Sequence, residues 1–438
     1  MHVHTNIIME IRTKLEILAD AAKYDASCAS SGTTRRDSSG SRTAIGSAGG
    51  AGICHSYAPD GRCISLLKLL LTNACTYDCH YCINRRSSNV RRARFTVDEV
   101  VRLTMDFYKR NFIEGLFLSS GIIRSADYTM ERVVEVARRL RVEHDFRGYI
   151  HLKTIPEASQ ELIDQAGRYA DRISINVELP SQASLDRLAP EKNLKRTEHA
   201  MGRIHSRIAS DAERRKADRK AGRRRSTGDR AFVPAGQSTQ MIVGADAAAD
   251  RHLLHRADAL YSSYRLKRVY YSAFSPIPSA SPVLPLQSPP LLREHRLYQA
   301  DWLMRFYGYG VDEIAPRNHP ELDLEIDPKL AWALRNRATF PVDLNRAPRE
   351  LLLRIPGIGV RSANRLLKIR RWTAVGLKDL LKLRISLKKC LPFIITRDHH
   401  PARLEVDSDR LRSALVPTPR QVEFDFTATQ RSAITGEV

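Results

Sequence analysis

The chain has 438 residues, too many for one ordinary domain, and 42% of them are apolar, which excludes wholesale disorder. Lys and Arg number 71 against 49 Asp and Glu, a net charge of +22, and such an excess favours polyanions, nucleic acid first and anionic membrane surface second. No apolar run approaches the ~20 residues of a membrane span, and Met1 to Asp20 mixes charges with apolar residues and lacks a signal-peptide core, so the reading is of a soluble, cytoplasmic protein.

Glu10 to Tyr24 has helical periodicity, and 29–52 is rich in Ser, Gly and Thr, so residues 1–60 read as an N-terminal helix and a flexible loop. Over 61–275 strand and helix alternate. The predicted strands are Leu66–Thr72, Gly115–Ser119, Gly148–Thr154, Arg172–Glu178, Thr239–Val243 and Arg268–Ala273. The intervening helices are Val97–Arg110, Tyr128–His144, Ser159–Arg168, Ser181–Leu188 continuing to about Ile208, and Ala248–Tyr264. Apolar strands in βα repeats imply a parallel sheet with helices outside it, and right-handed crossovers would curl it toward a partial barrel, although a doubly wound sheet has the same periodicity.

Residues 203–230 interrupt this pattern with eleven Arg/Lys against four acids and no apolar face; the expectation is a solvated loop, with a phosphate-touching arm as the other reading. Six prolines in 274–290 mark an extended crossing, so 276–339 reads as a Pro-rich linker with a helical extension. In that extension 291–310 is helical, with Trp302 and Phe306 on one face. Residues 340–396 form a compact basic module, and 397–438 a polar, weakly ordered tail.

Cysteines stand at 28, 54, 63, 75, 79, 82 and 390, and clustering in a large chain suggests metal before disulfides. The first strand runs directly into Cys75, Cys79 and Cys82 at Cys-x3-Cys-x2-Cys spacing. Three thiolates on one loop can hold three irons of a four-iron, four-sulfur (4Fe-4S) cluster; the usual cluster has four cysteine ligands, so one iron stays open. The competing reading is a zinc knot with Cys54 or Cys63 as fourth ligand. Cys28, Cys54 and Cys63 could also join His55 in a second metal site, or be plain structural thiols, whereas Cys390 reads as a core cysteine.

The triad and its place after the first strand of a βα series resemble the radical S-adenosylmethionine (SAM) superfamily. The resemblance implies that the open iron chelates SAM, whose one-electron reduction yields methionine and a 5′-deoxyadenosyl radical that abstracts hydrogen from substrate. It further implies SAM contacts from Ser119, Ser120 and Gly121, where the superfamily often has a Gly-Gly-Glu-like turn; the acidic residue is missing here, so only a backbone role carries over. Alternation places Ser174, Asn176 and Glu178 on one face, suited to ribose or carboxylate contacts or else to a satisfied polar layer; His151 and Lys153 share a face in the same way. Gly244 would let the chain approach the adenine closely.

In the basic module a short helix should end at Ile355 before Pro356, Gly357 and Gly359 permit a tight turn, and a second helix starts near Val360. This resembles the helix-hairpin-helix motif of DNA-binding proteins, including the lead-in Asp343 to Ala347. Backbone N–H groups at the glycines and the helix N-terminus suit phosphate, surrounded by Arg361, Arg365, Lys368, Arg370 and Arg371. Residues 361–389 contain ten Lys/Arg and one acid, and a degenerate second hairpin is expected around Gly376–Leu391.

The expected fold class is therefore α/β, a partial (β/α)6 radical SAM barrel with a C-terminal all-α helix-hairpin-helix module. Core and tail together resemble the radical SAM proteins of DNA modification or repair, from about Leu15 to Ile395, including Lys23-Tyr24-Asp25 and Gly52 to Tyr57. That resemblance implies a 4Fe-4S cluster and SAM as cofactors, DNA as partner, a reductant such as flavodoxin or ferredoxin, and a uracil-DNA-glycosylase-like protein. The alternatives are an RNA-modifying radical SAM enzyme and a DNA-binding protein with a structural or redox-sensing cluster.

Overall fold

A computed structural model of the chain describes residues 10–22, 53–57, 63–223, 230–277, 280–401 and 410–416. The expectations for 29–52, Cys28, Lys23-Tyr24-Asp25, Gly52 and the extreme C-terminal tail lie outside the described residues, as do the side chains of Cys54, His55 and Cys63.

Seven strands form one sheet in sequence order: β1 Ile53–Tyr57, β2 Cys63–Leu70, β3 Gly115–Ser119, β4 Tyr149–Lys153, β5 Arg172–Ser174, β6 Gln237–Val243 and β7 Arg268–Ala273. β1 is antiparallel to β2, and β2 to β7 are parallel throughout, an open partial barrel of six strands. Helices α1 Ile11–Ala22, α2 Val97–Lys109, α3 Ala126–Val142, α4 Gln160–Tyr169, α5 Gln182–Leu188, α6 Leu194–Lys220 and α7 Asp250–Tyr264 supply the layer that parallel strands need, since β3 and β6 are buried along their whole length. Helix starts follow from their caps. Thr96 and Glu99 form a capping box on α2, where Lys14 of α1 also pairs with Glu99 at 2.8 Å, and Ser125 caps α3.

Register separates two faces. Leu67, Leu116 and Ile150 lie side by side in an aliphatic row, all fully buried. One residue on, Lys68, Phe117, His151 and Arg172 form the neighbouring row on the opposite face. That polar row is also buried: Lys68 lies 5.7 Å from the Phe117 ring centroid, the Phe117 and His151 rings are 4.3 Å apart, and Arg172 donates to the Tyr149 hydroxyl at 2.9 Å.

Three sequence expectations are corrected here. The helix predicted to run from Ser181 to about Ile208 breaks at Ala189, because Pro190 cannot donate and disfavours helix at the residue before it. The basic segment from 203 is not a loop: α6 continues to Lys220. Its acids neutralise nearby cations within the helix, Asp211 with Arg214 at 2.7 Å and with Arg215 at 2.8 Å, and Asp218 with Arg214 at 3.5 Å. The ladder of β5 is also shorter than predicted, ending at Ser174; Glu178, with φ +66°, makes only an isolated bridge to Met241.

The chain divides into two compact units, 1–246 with 259–288, and 247–258 with 289–438. In the second, α8 Leu291–Trp302 passes into a π-helical turn, Leu303–Tyr307, that brings the Trp302 and Phe306 rings to 4.3 Å. After α9 Val311–Ile314 and α10 Pro328–Arg335, β8 Val342–Asp343 pairs in parallel with β9 Ile394–Ile395. Between them lie α11 Arg349–Arg354, α12 Val360–Ile369, α13 Leu377–Lys382 and α14 Leu387–Cys390. The sequence boundary at 339/340 falls inside this unit, because edge-on contacts run Tyr309–Trp332–Phe340–Phe393 at centroid distances of 5.5, 6.2 and 4.9 Å and join extension to tail. Cys390 is fully buried. Among the described residues no helix is long and apolar enough to cross a membrane.

Asp211 offers a test of the α6 assignment. Its carboxylate pairs with Arg215, whose side chain is 8% exposed, and accepts from the Phe232 N–H at 3.1 Å. Burial works to raise its pKa, but the Phe232 N–H and the two arginines outweigh it and hold the carboxyl below the usual value. Asp211→Ala removes the Arg215 pair and the acceptor of the Phe232 N–H and should cost about 2 kcal/mol in urea unfolding at pH 7. Because the folded pKa is depressed, the wild-type advantage is present above pH ~4 and is lost as pH falls below it, where the two proteins should converge.

Candidate functional site

The loop that leaves β2 carries Cys75, Cys79 and Cys82 and has no strand ladder of its own, so its carbonyls need other donors. Arg92 supplies them: its guanidinium donates to the carbonyls of Asn73, Asn84, Arg85 and Ser88 at 2.5, 2.9, 2.6 and 2.8 Å. Asn73 clamps the segment that carries Arg92, donating to Arg91 O at 2.7 Å and accepting from Ala93 N–H at 2.8 Å. Gly121, two residues past β3, lies against the loop: its N–H donates to Thr72 O at 2.8 Å, and a Cβ there would stand 2.3 Å from Ala74 O. The break after α5 forms the third support. Leu188 O accepts from His80 N–H at 2.8 Å and Glu191 accepts from Asp78 N–H at 3.0 Å.

Cys79 is buried, and Cys75 and Cys82 are half-buried. Burial pushes the Cys79 thiol up to about 12 against the attraction of Lys192, and burial also raises Cys82. Metal binding would therefore release protons from thiols that are otherwise held neutral. Ile122 N–H points at Cys75 Sγ and Asn84 N–H at Cys82 Sγ, each at 3.4 Å, contacts that strengthen when sulfur carries negative charge. Among the described residues no group of three His, Cys, Asp or Glu converges to hold a single metal ion. Three soft sulfur donors on one fixed loop, two of them with N–H donors, fit a cluster in which each thiolate takes its own iron.

The other sequence-predicted residues fall around this loop in distinct ways. Ser119 is buried at the end of β3, and its hydroxyl has no hydrogen-bond partner among the described residues. Ser120 donates to Gly121 O at 2.6 Å. Ser174 and His151 meet at 3.0 Å (Oγ to Nε2). Asn176 donates to Glu178 Oε1 at 3.4 Å and to Gln240 Oε1 at 3.3 Å. Glu178 in turn accepts from Lys192 Nζ at 2.6 Å, so the carboxylate is already paired. Gly244 has φ +77°, a left-handed turn after β6 that favours glycine.

Lys192 and Arg92 were missed by sequence reasoning. Neither belongs to a spaced motif, although Pro190 is a signal for the turn that presents Lys192. Burial works to lower the Lys192 pKa, but Glu178 together with Tyr81 and Cys79 outweighs it and raises the value well above the ordinary one; the ammonium also lies 5.9 Å from the Tyr81 ring centroid. A second unpredicted group is cationic. Arg94, Arg124 and Arg132 surround Tyr128 at 5.6, 4.6 and 5.2 Å from its ring centroid, and Arg94 also donates to its hydroxyl at 3.0 Å. The hydrogen bond from Arg94 lowers the Tyr128 pKa. Arg124 follows the Ser119–Ile123 turn, and Arg94 bridges to Thr72, so this cluster adjoins the cysteine loop.

In the C-terminal unit, α11 ends at Arg354 and α12 begins at Val360, with Gly357 at φ +81° in the turn between. Lys329, fully buried, donates to Ile358 O at 2.6 Å and lies 4.8 Å from the Tyr307 centroid, fixing the turn from beneath. Arg361, Arg365, Lys368 and Arg371 are exposed. Arg370 is not part of that surface: it turns inward and donates to Leu344 O at 3.2 Å and Ala347 O at 2.6 Å.

Residues 69–210 match the family model of the Radical SAM superfamily, and the chain carries a domain of that enzyme superfamily, whose cofactors are a 4Fe-4S cluster and SAM. No curated protein matches the chain. Among solved structures, the FeFe-hydrogenase maturase HydG from Carboxydothermus hydrogenoformans is 14% identical over 54% of this chain and 50% of its own, with a TM-score of 0.40. SuiB from Streptococcus suis is 10% identical over 55% and 48%, with a TM-score of 0.39. The methylornithine synthase PylB is 14% identical over 52% and 60%, with a TM-score of 0.37. The chain thus spans about half the length of HydG and SuiB.

Two measurements follow from these contacts. Gly121→Ala must displace the cysteine loop, so reconstituted protein should retain its far-UV circular dichroism yet hold less than half the wild-type iron and sulfide. Burial lowers the Lys329 pKa to about 7 against the attraction of Asp327, with Lys389 and Arg354 adding repulsion. An unfolded lysine titrates near ~10.4, so between pH ~7 and ~10 the unfolded chain binds the extra proton and stability rises with pH. All three tryptophans, Trp302, Trp332 and Trp372, belong to this unit. The urea midpoint followed by their fluorescence should climb from pH 7 to 9.5, and Lys329→Met should remove that climb.

Proposed function

We propose that the protein is a radical SAM enzyme that modifies or repairs nucleic acid, DNA before RNA, by hydrogen abstraction. The observation that carries the nucleic-acid half is the glycine turn between α11 and α12, opening onto the exposed cations Arg361, Arg365, Lys368 and Arg371. This is a helix-hairpin-helix in proposal: Gly357, Gly359 and the first N–H groups of α12 meet a phosphate, and the side chains add charge without reading sequence. The Arg94, Arg124 and Arg132 cluster supports the same polyanionic substrate from the catalytic unit.

Cys75, Cys79 and Cys82 hold the cluster, and Ser119, Ser120, Gly121, Ser174, Asn176, Glu178 and Gly244 line the SAM site. When bound, cluster and SAM supply a 5′-deoxyadenosyl radical on one-electron reduction, with flavodoxin or ferredoxin as donor. The chain's own work is positional. Arg92 and Gly121 fix the loop, and Glu178 with Lys192 sets the charge beside Cys79. The polar row of Lys68, His151 and Arg172 gives the barrel face groups that can orient a substrate. A base inside a duplex would first have to be flipped or unpaired. A uracil-DNA-glycosylase-like protein is the proposed partner.

The test is anaerobic: reconstituted protein is reduced with dithionite, given SAM, and assayed for 5′-deoxyadenosine with DNA, with RNA and with neither. Product that requires Cys79, judged against Cys79→Ala, and rises at least severalfold with DNA is the expected result. Product formed at the same rate with and without either nucleic acid would overturn the substrate assignment.

A further inference from the structure

We infer that Trp372 is a stacking platform for an unpaired nucleotide, so that the hairpin module takes single-stranded or unpaired sites in preference to closed duplex. This deepens the nucleic-acid reading above and rests on it. Trp372 is 90% exposed, whereas Trp332, in the same unit, is 7% exposed. A covered tryptophan removes ~150–250 Å² from water, and an indole left bare on a folded surface marks a place where something else covers it.

Spacing and charge identify the occupant. Arg361, Arg365 and Lys368 fall at i, i+4 and i+7, along one face of α12, while Ser362, Ala363 and Leu366 are buried on the other, and Trp372 follows three residues after the helix ends. The three cations span about 10 Å of the helix axis. α12 ends at Ile369, whose carbonyl accepts the Trp372 backbone N–H at 2.9 Å, so the main chain that bears the indole is fixed directly after the helix, next to exposed Arg371. Ten Lys/Arg against one acid over 361–389 favour a polyanion over a protein surface. A strand whose phosphates track the cations would bring a base to the indole, and every base offers a π-face, so stacking there would be tolerant of sequence. Bases inside a duplex are already stacked on their neighbours and cannot use it.

The experiment uses full-length wild type, Trp372→Ala, Trp372→Phe and the double variant Arg365→Ala/Lys368→Ala. Anisotropy titrations use labelled 20-mers as single-stranded DNA, single-stranded RNA, duplex, and duplex with a central mismatch. The inference expects Trp372→Ala to weaken single strands and mismatched duplex about tenfold, closed duplex less than twofold, with an unchanged salt slope. Trp372→Phe should retain most of the affinity while losing the fluorescence quenching that a single strand causes in wild type. The double variant should weaken every ligand and flatten the salt slope. DNA and RNA strands bound equally would assign the site to unpaired bases as such, and a preference would assign it to one of them. Wild type that binds none of the four would remove the nucleic-acid reading itself. Strand binding with no quenching and no loss in Trp372→Ala, or equal loss on single strand and duplex, would overturn the stacking role alone.

Discussion

A loop that presents three closely spaced thiols cannot also be a strand, and the guanidinium of Arg92 is what lets it exist as a fixed object. Four carbonyls that a ladder would otherwise satisfy converge on one side chain, at 2.5 to 2.9 Å. Lysine could not replace it, because an ammonium is a point donor and lacks the planar fork that reaches separate oxygens at once. The remaining supports depend on that shape. Gly121 can touch Ala74 only because the loop is held in place, and the turn after α5 can offer Leu188 O and Glu191 only to a backbone that is already folded back.

The electrostatics around the loop follow from the same compactness. Burying Cys79 and Cys82 penalises thiolate, and Lys192 counters without removing that penalty. Glu178 then matters twice. It keeps Lys192 charged inside the protein, and its bond to Asn176 links the ammonium to the polar end of the sheet. A lone buried lysine would neutralise instead, as the low value at Lys329 illustrates, where Asp327 gives some compensation but burial wins.

Legibility in the sequence followed the range of the interaction. The cysteine spacing, the strand positions and the glycine turn at 357–359 are local, and each appears within a few residues of where it was expected. The helical fate of 203–220 was hidden because a run of like charges looks solvated, although Asp211 and Asp218 stand at the offsets that let one helix neutralise itself. Arg92, Lys192 and the inward turn of Arg370 depend on chain segments brought together only by folding, and no local spacing encodes them. Pro190 is the exception: it is a local signal, and reading through it merged two helices and concealed the turn that carries Lys192.

Net charge proves a poor guide to where a polyanion would bind, because much of the excess is committed internally. Arg92, Arg141 and Arg370 all donate to backbone carbonyls, and Arg214 and Arg215 pair along α6. Among the described residues, exposed cations gather along α12, and three arginines gather on Tyr128. A guanidinium buried against carbonyls contributes stability and little external field, whereas three exposed cations on one side of a ten-residue helix sum over a distance comparable to the ~10 Å screening length. Placement, more than the total of +22, is therefore what gives a basic protein an outward-facing cationic patch.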